Sequence, residues 1–207
     1  VNELAKSFEL MNIDIKAVIE GASTKPFGFM PFFPGPGVGG HCISVDPYYL
    51  IEGARKNGFT HEFLILARKI NEEMPLHVVE LIEEQLAKKN KKIDSSTIAI
   101  LGIAFKPDVD DARESPSLKV VAELKKRKAN LKIFDSWIPS KSNTNSLDEA
   151  LKDSDIVVLL THHSEFVQQL TPQLLKKFKI DSIIDARNCL NKEEFIKNGI
   201  AYKGIGR

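Results

Sequence analysis

Short segments that are apolar at nearly every residue alternate with helical segments through the second half of the chain. These apolar segments are residues 97–104, 131–134, 155–160, 183–184 and 200–202. Strands without polar alternation are buried on both faces, and such strands separated by helices are typical of a parallel sheet covered by helices. The pattern therefore predicts an α/β, Rossmann-like domain over 91–207, with 200–202 as its edge strand.

The first half of the chain has helical periodicity instead. Apolar side chains recur at helical spacing in 4–11 and again in 15–19, with a break at 12–14. Residues 25–45 are rich in proline and glycine and are predicted to form a loop. We therefore expect residues 1–90 to be a helical domain segment that ends in a helix leading to the α/β domain.

Two prolines affect the longer helices of this segment. A helix is predicted over 46–56, because Asp46 can cap its first turn and Pro47 suits the first helical position. A second helix is predicted over 62–89, and Pro75 lies inside it. A proline within a helix removes a backbone hydrogen bond at a cost of about 3 kcal/mol, so we expect a kink or break there.

The composition is that of an ordinary soluble globular protein. The 207 residues are 43% hydrophobic and 28% charged, with a formal net charge of +1. This near-neutral charge gives no reason to expect nucleic acid or an anionic membrane as a partner, and no apolar run approaches the ~20 residues of a membrane helix. Two cysteines far apart in sequence fit a reducing compartment, so we expect a cytoplasmic protein.

One loop is rich in glycine and proline, the residues with unusual backbone conformations. Residues 34–40 hold four glycines and two prolines. Such a loop can bring bare backbone close to a ligand, although a tight connector without a ligand has the same composition. Gly35, Gly37 and Gly40 match the spacing of the dinucleotide fingerprint, but the prolines before them do not fit the strand that this fingerprint requires. We therefore reject a pyrophosphate-binding turn here.

Cys42 follows this loop directly and is a candidate nucleophile. A lone cysteine is often an inert core residue, but a position close to a helix start favours the thiolate. Asp46 can be a helix cap, a catalytic group or both. Cys189 has no such surroundings and is predicted to be structural.

A second cluster, residues 102–117, follows the first predicted strand. Lys106 and Arg113 lie on this loop, where open α/β sheets bind ligands, and their charges suit phosphate or carboxylate groups. A solvated charged loop is the alternative. His162 and His163 have no companion ligands at zinc spacing, so we predict packing or surface histidines and no metal.

These clusters together resemble the UDP-glucose/GDP-mannose dehydrogenase family. The residues that carry the resemblance are 34–42 with Asp46, Phe105-Lys106-Pro107, 110–116 and Asp185-Ala186-Arg187-Asn188. The resemblance implies the end of the family's central helical domain over 1–90 and its UDP-sugar-binding domain over 91–207. The chain starts at Val1 in helical pattern, so we interpret it as a C-terminal fragment without the NAD-binding domain.

The sequence around Cys42 resembles one branch of that family. Residues 39–48 read Gly-Gly-His-Cys-Ile-Ser-Val-Asp-Pro-Tyr, as in the branch that oxidises UDP-N-acetylhexosamines. Val45 stands where the UDP-glucose branch usually has lysine, which argues against plain UDP-glucose. Which of the gluco, manno and galacto epimers is the substrate stays open, and supply of a capsule or O-antigen is the family expectation.

The resemblance also implies a chemistry and roles for individual residues. The C6 alcohol of the sugar is oxidised to a carboxylate with two NAD⁺, through a thiohemiacetal and a thioester on Cys42, and Asp46 assists proton transfer or orients water. The implied substrate contacts are Phe33, Gly35, Gly39, Lys106 and Arg187. Arg113 would contact NAD, and the central helices would form a homodimer.

Two alternatives stay open. The chain in this truncated form is a UDP-sugar-binding module without catalytic activity, or the helices of 1–90 have an assembly role.

Overall fold

The computed structural model describes all 207 residues. Four helices come first: α1 (Asn2–Leu10), α2 (Ile15–Ser23), α3 (Cys42–Lys56) and α4 (Glu62–Ala87). The remainder alternates strands with helices: β1 (Thr97–Leu101), α5 (Pro116–Lys126), β2 (Asn130–Phe134), α6 (Leu147–Leu151), β3 (Ile156–Leu159), α7 (Ser164–Gln169), α8 (Pro172–Lys177), β4 (Ser182–Asp185), α9 (Lys192–Lys197) and β5 (Ala201–Gly204). No helix has both the length and the apolar character needed to cross a membrane.

The five strands form one parallel sheet in the order β2-β1-β3-β4-β5. The prediction of an α/β domain with a parallel sheet is confirmed, and the last strand lies at an edge as expected. The strand order reverses between β1 and β3, because β2 and β3 lie on opposite sides of β1. In such sheets ligands bind at the carboxyl ends of the strands beside this reversal.

Alternate side chains of the strands face two separate hydrophobic cores. Ile98 and Ile100 pack with α4 and α5, whereas Ala99 and Leu101 face the opposite core with α6 and α9. The second half of α4 therefore packs on the sheet itself. Strand β1 ends at Leu101 instead of at 104 as predicted, because Gly102 turns the chain with φ +79°.

The predicted start of α3 was wrong by one turn. The helix begins at Cys42, and the carbonyl oxygen of His41 accepts a hydrogen bond from Val45 N–H at 2.8 Å. Asp46 therefore lies in the second turn and does not cap the helix. Pro47 deprives only the Ile43 carbonyl of its helical donor, and Ile43 is exposed, so water can replace that bond.

Of the kink or break expected at Pro75, the break does not occur. Helix α4 runs through Pro75 from Glu62 to Ala87. The missing N–H frees the carbonyl of Asn71, four residues earlier, and the backbone of Gly37 passes closely against that oxygen. The glycine loop therefore packs on α4 where its hydrogen-bond ladder is interrupted.

Candidate active site

The glycine loop packs directly against the second cluster. A Cβ added to Gly39 would lie 2.7 Å from Phe105 Cβ and 2.9 Å from the Glu114 carbonyl oxygen. A Cβ on Gly40 would lie 2.9 Å from the Phe105 ring, and Gly40 N–H donates to the Arg113 carbonyl at 3.0 Å. Only glycine allows this approach, so the two clusters of the sequence form one surface.

This packing changes the interpretation of the glycines. Gly37 has φ +124°, and its added Cβ would meet Asn71 O at 2.9 Å and Pro116 Cβ at 3.1 Å. At Gly37, Gly39 and Gly40 the bare backbone thus faces protein atoms, as in the tight-connector alternative. The expected contact of Gly39 with a substrate stays a prediction. No strand precedes Gly35, so the loop lacks the strand that the dinucleotide fingerprint requires.

Cys42 is the first residue of α3 and carries an exposed, free thiol. A ring nitrogen of His41, the Cys42 sulfur and an oxygen of Asp46 all lie within 4.8 Å of one another. The helix start at Cys42 therefore brings thiol, imidazole and carboxylate together, and these three groups are also of the types that bind zinc.

A cation stands beside this thiol. Arg113 is exposed, and its Nε and Nη2 donate to Asp111 Oδ2 at 3.0 and 2.6 Å. The hydrogen bond to Asp111 raises the pKa of Arg113, with a smaller contribution from the negative charge of Cys42, and lowers the pKa of Asp111. The ion pair with Asp111 thus holds the Arg113 guanidinium in a defined position.

Lys106 lies on the same loop and is exposed without a salt bridge. Its Nζ is 5.3 Å from the centre of the Phe105 ring. Gly39 and Gly40 pack against Phe105, so the glycine loop contacts the residue next to Lys106. Phe33 is exposed, and its ring forms no aromatic pair.

Arg187 lies beyond β4, and the buried Asp185 carboxylate organises its loop. That carboxylate accepts hydrogen bonds from Arg187 N–H at 3.0 Å, Leu190 N–H at 2.8 Å and the Tyr202 hydroxyl at 2.8 Å. Arg187 Nε donates to the Leu160 carbonyl at 2.7 Å. These bonds fix the Arg187 side chain, so the remaining N–H donors of its guanidinium group have a defined position.

One of those donors has no partner. Arg187 Nη2 is buried and unbonded, and Nη1 would lie 3.1 Å from a Cβ on Gly35. Burial lowers the pKa of Arg187 to about 10, which still leaves it charged at neutral pH. A buried charged donor without an acceptor is costly, so this position fits an anionic or carbonyl group of a ligand.

Several residues that position this site were missed from the sequence. Asn2 Oδ1 accepts the Gly35 N–H at 3.0 Å, and Asn2 Nδ2 donates to Asn71 Oδ1 at 2.8 Å. The available signal was a polar residue three positions before Ala5 on the buried face of α1. Asp135 was missed as well, although it directly follows β2 at the ligand-binding edge. Asp185 was quoted only as part of a motif, and it is the last residue of β4.

The histidines after β3 are packing residues, as predicted. His163 is fully buried and bonds Asp135, whereas His162 is half-buried and its Nδ1 has no partner. Burial, and then the charge of Arg187, lowers the pKa of His162. The lowered pKa favours the neutral form of the His162 imidazole.

Two family profiles match the chain. The central domain of the UDP-glucose/GDP-mannose dehydrogenase family matches residues 1–73, and the UDP binding domain of the same family matches residues 99–192. The chain belongs to the UDP-glucose/GDP-mannose dehydrogenase family. The first match contains Cys42 and the glycine loop, and the second contains Lys106 and Arg187, so the site lies where the family's two domains meet.

Individual relatives agree with this membership. A UDP-N-acetyl-D-mannosamine dehydrogenase from Methanocaldococcus jannaschii is 39% identical over 99% of the chain and 47% of its own length. A UDP-N-acetyl-D-glucosamine 6-dehydrogenase from Pseudomonas aeruginosa is 31% identical over 94% of the chain and 47% of its own length. The chain thus spans about half the length of the curated relatives it matches.

A solved structure agrees over the whole chain. The NDP-N-acetyl-D-galactosaminuronic acid dehydrogenase from Methanosarcina mazei superposes with a TM-score of 0.90 at 34% identity, covering 100% of the chain and 46% of that protein. The arrangement of helices and sheet described above is therefore that of a known dehydrogenase.

The residues of this chain could supply only part of a binding site for a dinucleotide cofactor. The loop after β1 extends through Ser115 before α5 begins, so it is not the tight strand–turn–helix that holds a pyrophosphate. Arg113 is an exposed cation on that loop, and the chemistry of its guanidinium suits a phosphate group.

Proposed function

We propose that the chain is the thiol-bearing and substrate-binding part of an NAD-dependent nucleotide-sugar 6-dehydrogenase. Its substrate class is a UDP-N-acetylhexosamine, whose C6 alcohol becomes a carboxylate. The observation that carries this proposal is the packing of the Cys42 loop onto Phe105, beside Lys106 and the free donor of Arg187. Family membership and the names of the relatives support it.

The side chains that would bind the substrate are charged groups at the carboxyl edge of the sheet. Arg187 has an unused buried donor, and Lys106 has an unpaired exposed ammonium group. Both suit the diphosphate or carbonyl oxygens of a nucleotide sugar. Phe33 and the backbone of Gly35 and Gly39 would line the same pocket.

The reaction oxidises an alcohol by four electrons and consumes one water. NAD⁺, when bound near Arg113, would accept the two hydrides. Cys42 attacks the carbonyl carbon of the intermediate aldehyde, forming a C–S bond, and the carbonyl oxygen takes a proton. Loss of the second hydride and of that proton leaves a thioester. Water then attacks the thioester carbon and the C–S bond breaks, which returns the Cys42 thiolate and frees the carboxylate.

Proton transfer in the last step has two candidate groups. Asp46 and His41 both lie within 4.8 Å of the sulfur, and His41 Nδ1 is 3.7 Å from Asp46 Oδ1. A carboxylate at this distance can accept a proton from the attacking water, and the imidazole can pass it to solvent. Asp46 thus acts in hydrolysis and not as a helix cap.

We further propose a homodimer through residues 1–90, with the domain boundary at 90 and the protein in the cytoplasm. Large apolar side chains are exposed on α3, on α4 and between them. They include Ile43, Tyr49, Leu50, Phe59, Phe63 and Leu66. Such a patch is typical of an interaction surface, and sedimentation velocity over a range of concentrations tests it. A monomer at every concentration would contradict the dimer.

The first experiment is calorimetric titration of the 207-residue chain with UDP, UDP-N-acetylglucosamine, GDP and NAD⁺. We expect the uridine ligands to bind and NAD⁺ not to bind, which would make the chain alone a binding module without turnover. Arg187→Met should weaken binding about 10- to 100-fold, the range for one charge-assisted hydrogen bond. Arg127→Met, the same change at the far end of α5, is the control and should bind normally. Tight NAD⁺ binding, or none of UDP, would contradict the proposal.

A further inference from the structure

Both ends of the segment that carries Lys106 are anchored in the protein interior. At its start, Ile103 N–H and Ala104 N–H donate to Asp135 Oδ2 at 2.6 and 3.0 Å. At its end, Asp108 N–H donates to His163 Nδ1 at 2.8 Å. These two acceptors follow β2 and β3, so the loops after three neighbouring strands are tied together.

The two acceptors, Asp135 and His163, are hydrogen-bonded to each other. Their hydrogen bonds determine which ring nitrogen of His163 carries the proton. Because His163 Nδ1 accepts an N–H, the ring proton lies on Nε2, which donates to Asp135 Oδ2 at 3.1 Å. Asp135 is 1% exposed and His163 is 0% exposed. The form of the His163 ring that makes both bonds carries a proton on Nε2 and none on Nδ1.

The ring has little freedom to adopt another arrangement. His163 stacks on Trp137 at 6.2 Å between ring centres and meets Phe166 edge-on at 5.5 Å. Asp108 has φ +56°, a conformation that residues other than glycine rarely adopt. The Asp108 carboxylate accepts from the backbone and the hydroxyl of Ser164, which holds that turn from the exposed side.

We propose that His163, through its bonds to Asp108 and Asp135, is a positioning residue that fixes Lys106 for contact with the nucleotide sugar. This inference rests on the proposed function only in that Lys106 contacts the substrate. His163 does not itself reach the ligand. It acts by holding the short segment Phe105–Pro107 between two anchored ends, so that the lysine is ordered before binding.

Two variants separate the two bonds of the ring. The amide oxygen of Asn can occupy the place of Nδ1, so His163→Asn keeps an acceptor for Asp108. The amide nitrogen of Gln can reach the place of Nε2, so His163→Gln keeps the donor to Asp135 and loses the acceptor. We expect faster hydrogen exchange at the Asp108 amide in His163→Gln, with partial recovery in His163→Asn.

A double-mutant cycle with Lys106→Met on the 207-residue chain tests the functional link. Calorimetry with UDP-N-acetylglucosamine should show about a 10-fold loss for Lys106→Met and about a 3- to 10-fold loss for His163→Gln, on the basis of one charge-assisted bond. In the Lys106→Met background, His163→Gln should cause no further loss. Equal losses in both backgrounds, or no loss from His163→Gln, would overturn the inference.

Controls distinguish positioning from simple loss of stability. His77→Gln alters another buried histidine, bonded to Glu9 on α1, and should lower stability without changing affinity. If His163→Gln fails to fold, Ser164→Ala loosens the same turn from the surface and should show the same dependence on Lys106. If wild-type chain binds no uridine ligand, the proposed function fails. If it binds but Lys106→Met has no effect, only the role of Lys106 and this inference fail.

Discussion

Substitution of Gly39 by alanine tests whether the glycine loop is shaped by protein packing. The added Cβ would stand 2.7 Å from Phe105 Cβ, 2.9 Å from Glu114 O and 2.9 Å from Pro116 Cδ. Two of these neighbours are a backbone oxygen and a proline ring atom, and the third is a Cβ, so none can rotate away. The two segments must therefore move apart by several tenths of an ångström.

The expected cost is that of overpacking, about 1–3 kcal/mol. For a chain of this length each kcal/mol lowers the melting temperature by about 2–4 °C. Gly39→Ala should thus unfold about 2–12 °C below wild type, as followed by calorimetry or by the fluorescence of Trp137. Because Phe105 must shift, the affinity for UDP-N-acetylglucosamine should fall as well.

Gly53→Ala is the matched control, since its added Cβ meets nothing within 4 Å and it lies inside α3. Alanine in a helix interior is favoured over glycine by about 0.5–1 kcal/mol, so this variant should be slightly more stable than wild type. If Gly39→Ala were as stable as wild type, the close approach of the loop to Phe105 would be refuted.

Four further predictions concern the two thiols, stability in acid and the loop after β4. In the full-length enzyme Cys42→Ala should abolish net formation of NADH, and unchanged turnover would exclude the thiol as nucleophile. Burial raises the pKa of Cys189, so at neutral pH a thiol reagent should modify Cys42 first, and equal rates would contradict this difference. Burial of Asp135 tends to raise its pKa, but hydrogen bonds from His163, Ile103 and Ala104 outweigh this and hold the pKa below 3.8. Its carboxylate therefore stabilises the fold above pH 3.8, and this contribution is lost as pH falls through the folded-state pKa. Denaturant unfolding of Asp135→Asn should show lower stability at pH 7 and a smaller further loss in acid, whereas an acid limb parallel to that of wild type would refute the assignment. Tyr202→Phe leaves the buried Asp185 short of one donor, so it should cost about 1–3 kcal/mol by denaturant unfolding and weaken uridine binding through Arg187, and a neutral effect would count against that network.

The elements with strong local patterns were predictable from the sequence. The apolar segments at 131–134 and 155–160 became β2 and β3. All four residues of β3 are buried, because a strand buried on both faces leaves no position for a polar side chain. The helix predicted to follow the first strand is α5, whose first turn is capped by Ser115. These signals depend on only a few neighbouring residues, so they can be interpreted without knowledge of the fold.

Errors came where a local signal competed with a distant contact. Asp46-Pro47 is a strong helix-start signal, yet α3 begins at Cys42, where the preceding glycine loop is held against Phe105. Pro75 is a strong helix-break signal, yet the carbonyl it frees is covered by the loop at Gly37. In both cases a neighbour far along the chain decided the outcome.

The sequence by itself determined the parallel α/β domain, the helical segment before it and, through the motifs, the candidates Cys42, Lys106, Arg113 and Arg187. Only the tertiary structure decided that the glycines face Phe105, that Arg187 keeps a free buried donor, and that His163 and Asp135 tie the Lys106 segment at both ends. The physical reason is the separation along the chain over which each kind of interaction acts. Periodicity and propensity report on neighbours within a turn or a strand, whereas these hydrogen bonds and close contacts join residues that only the folded chain brings together.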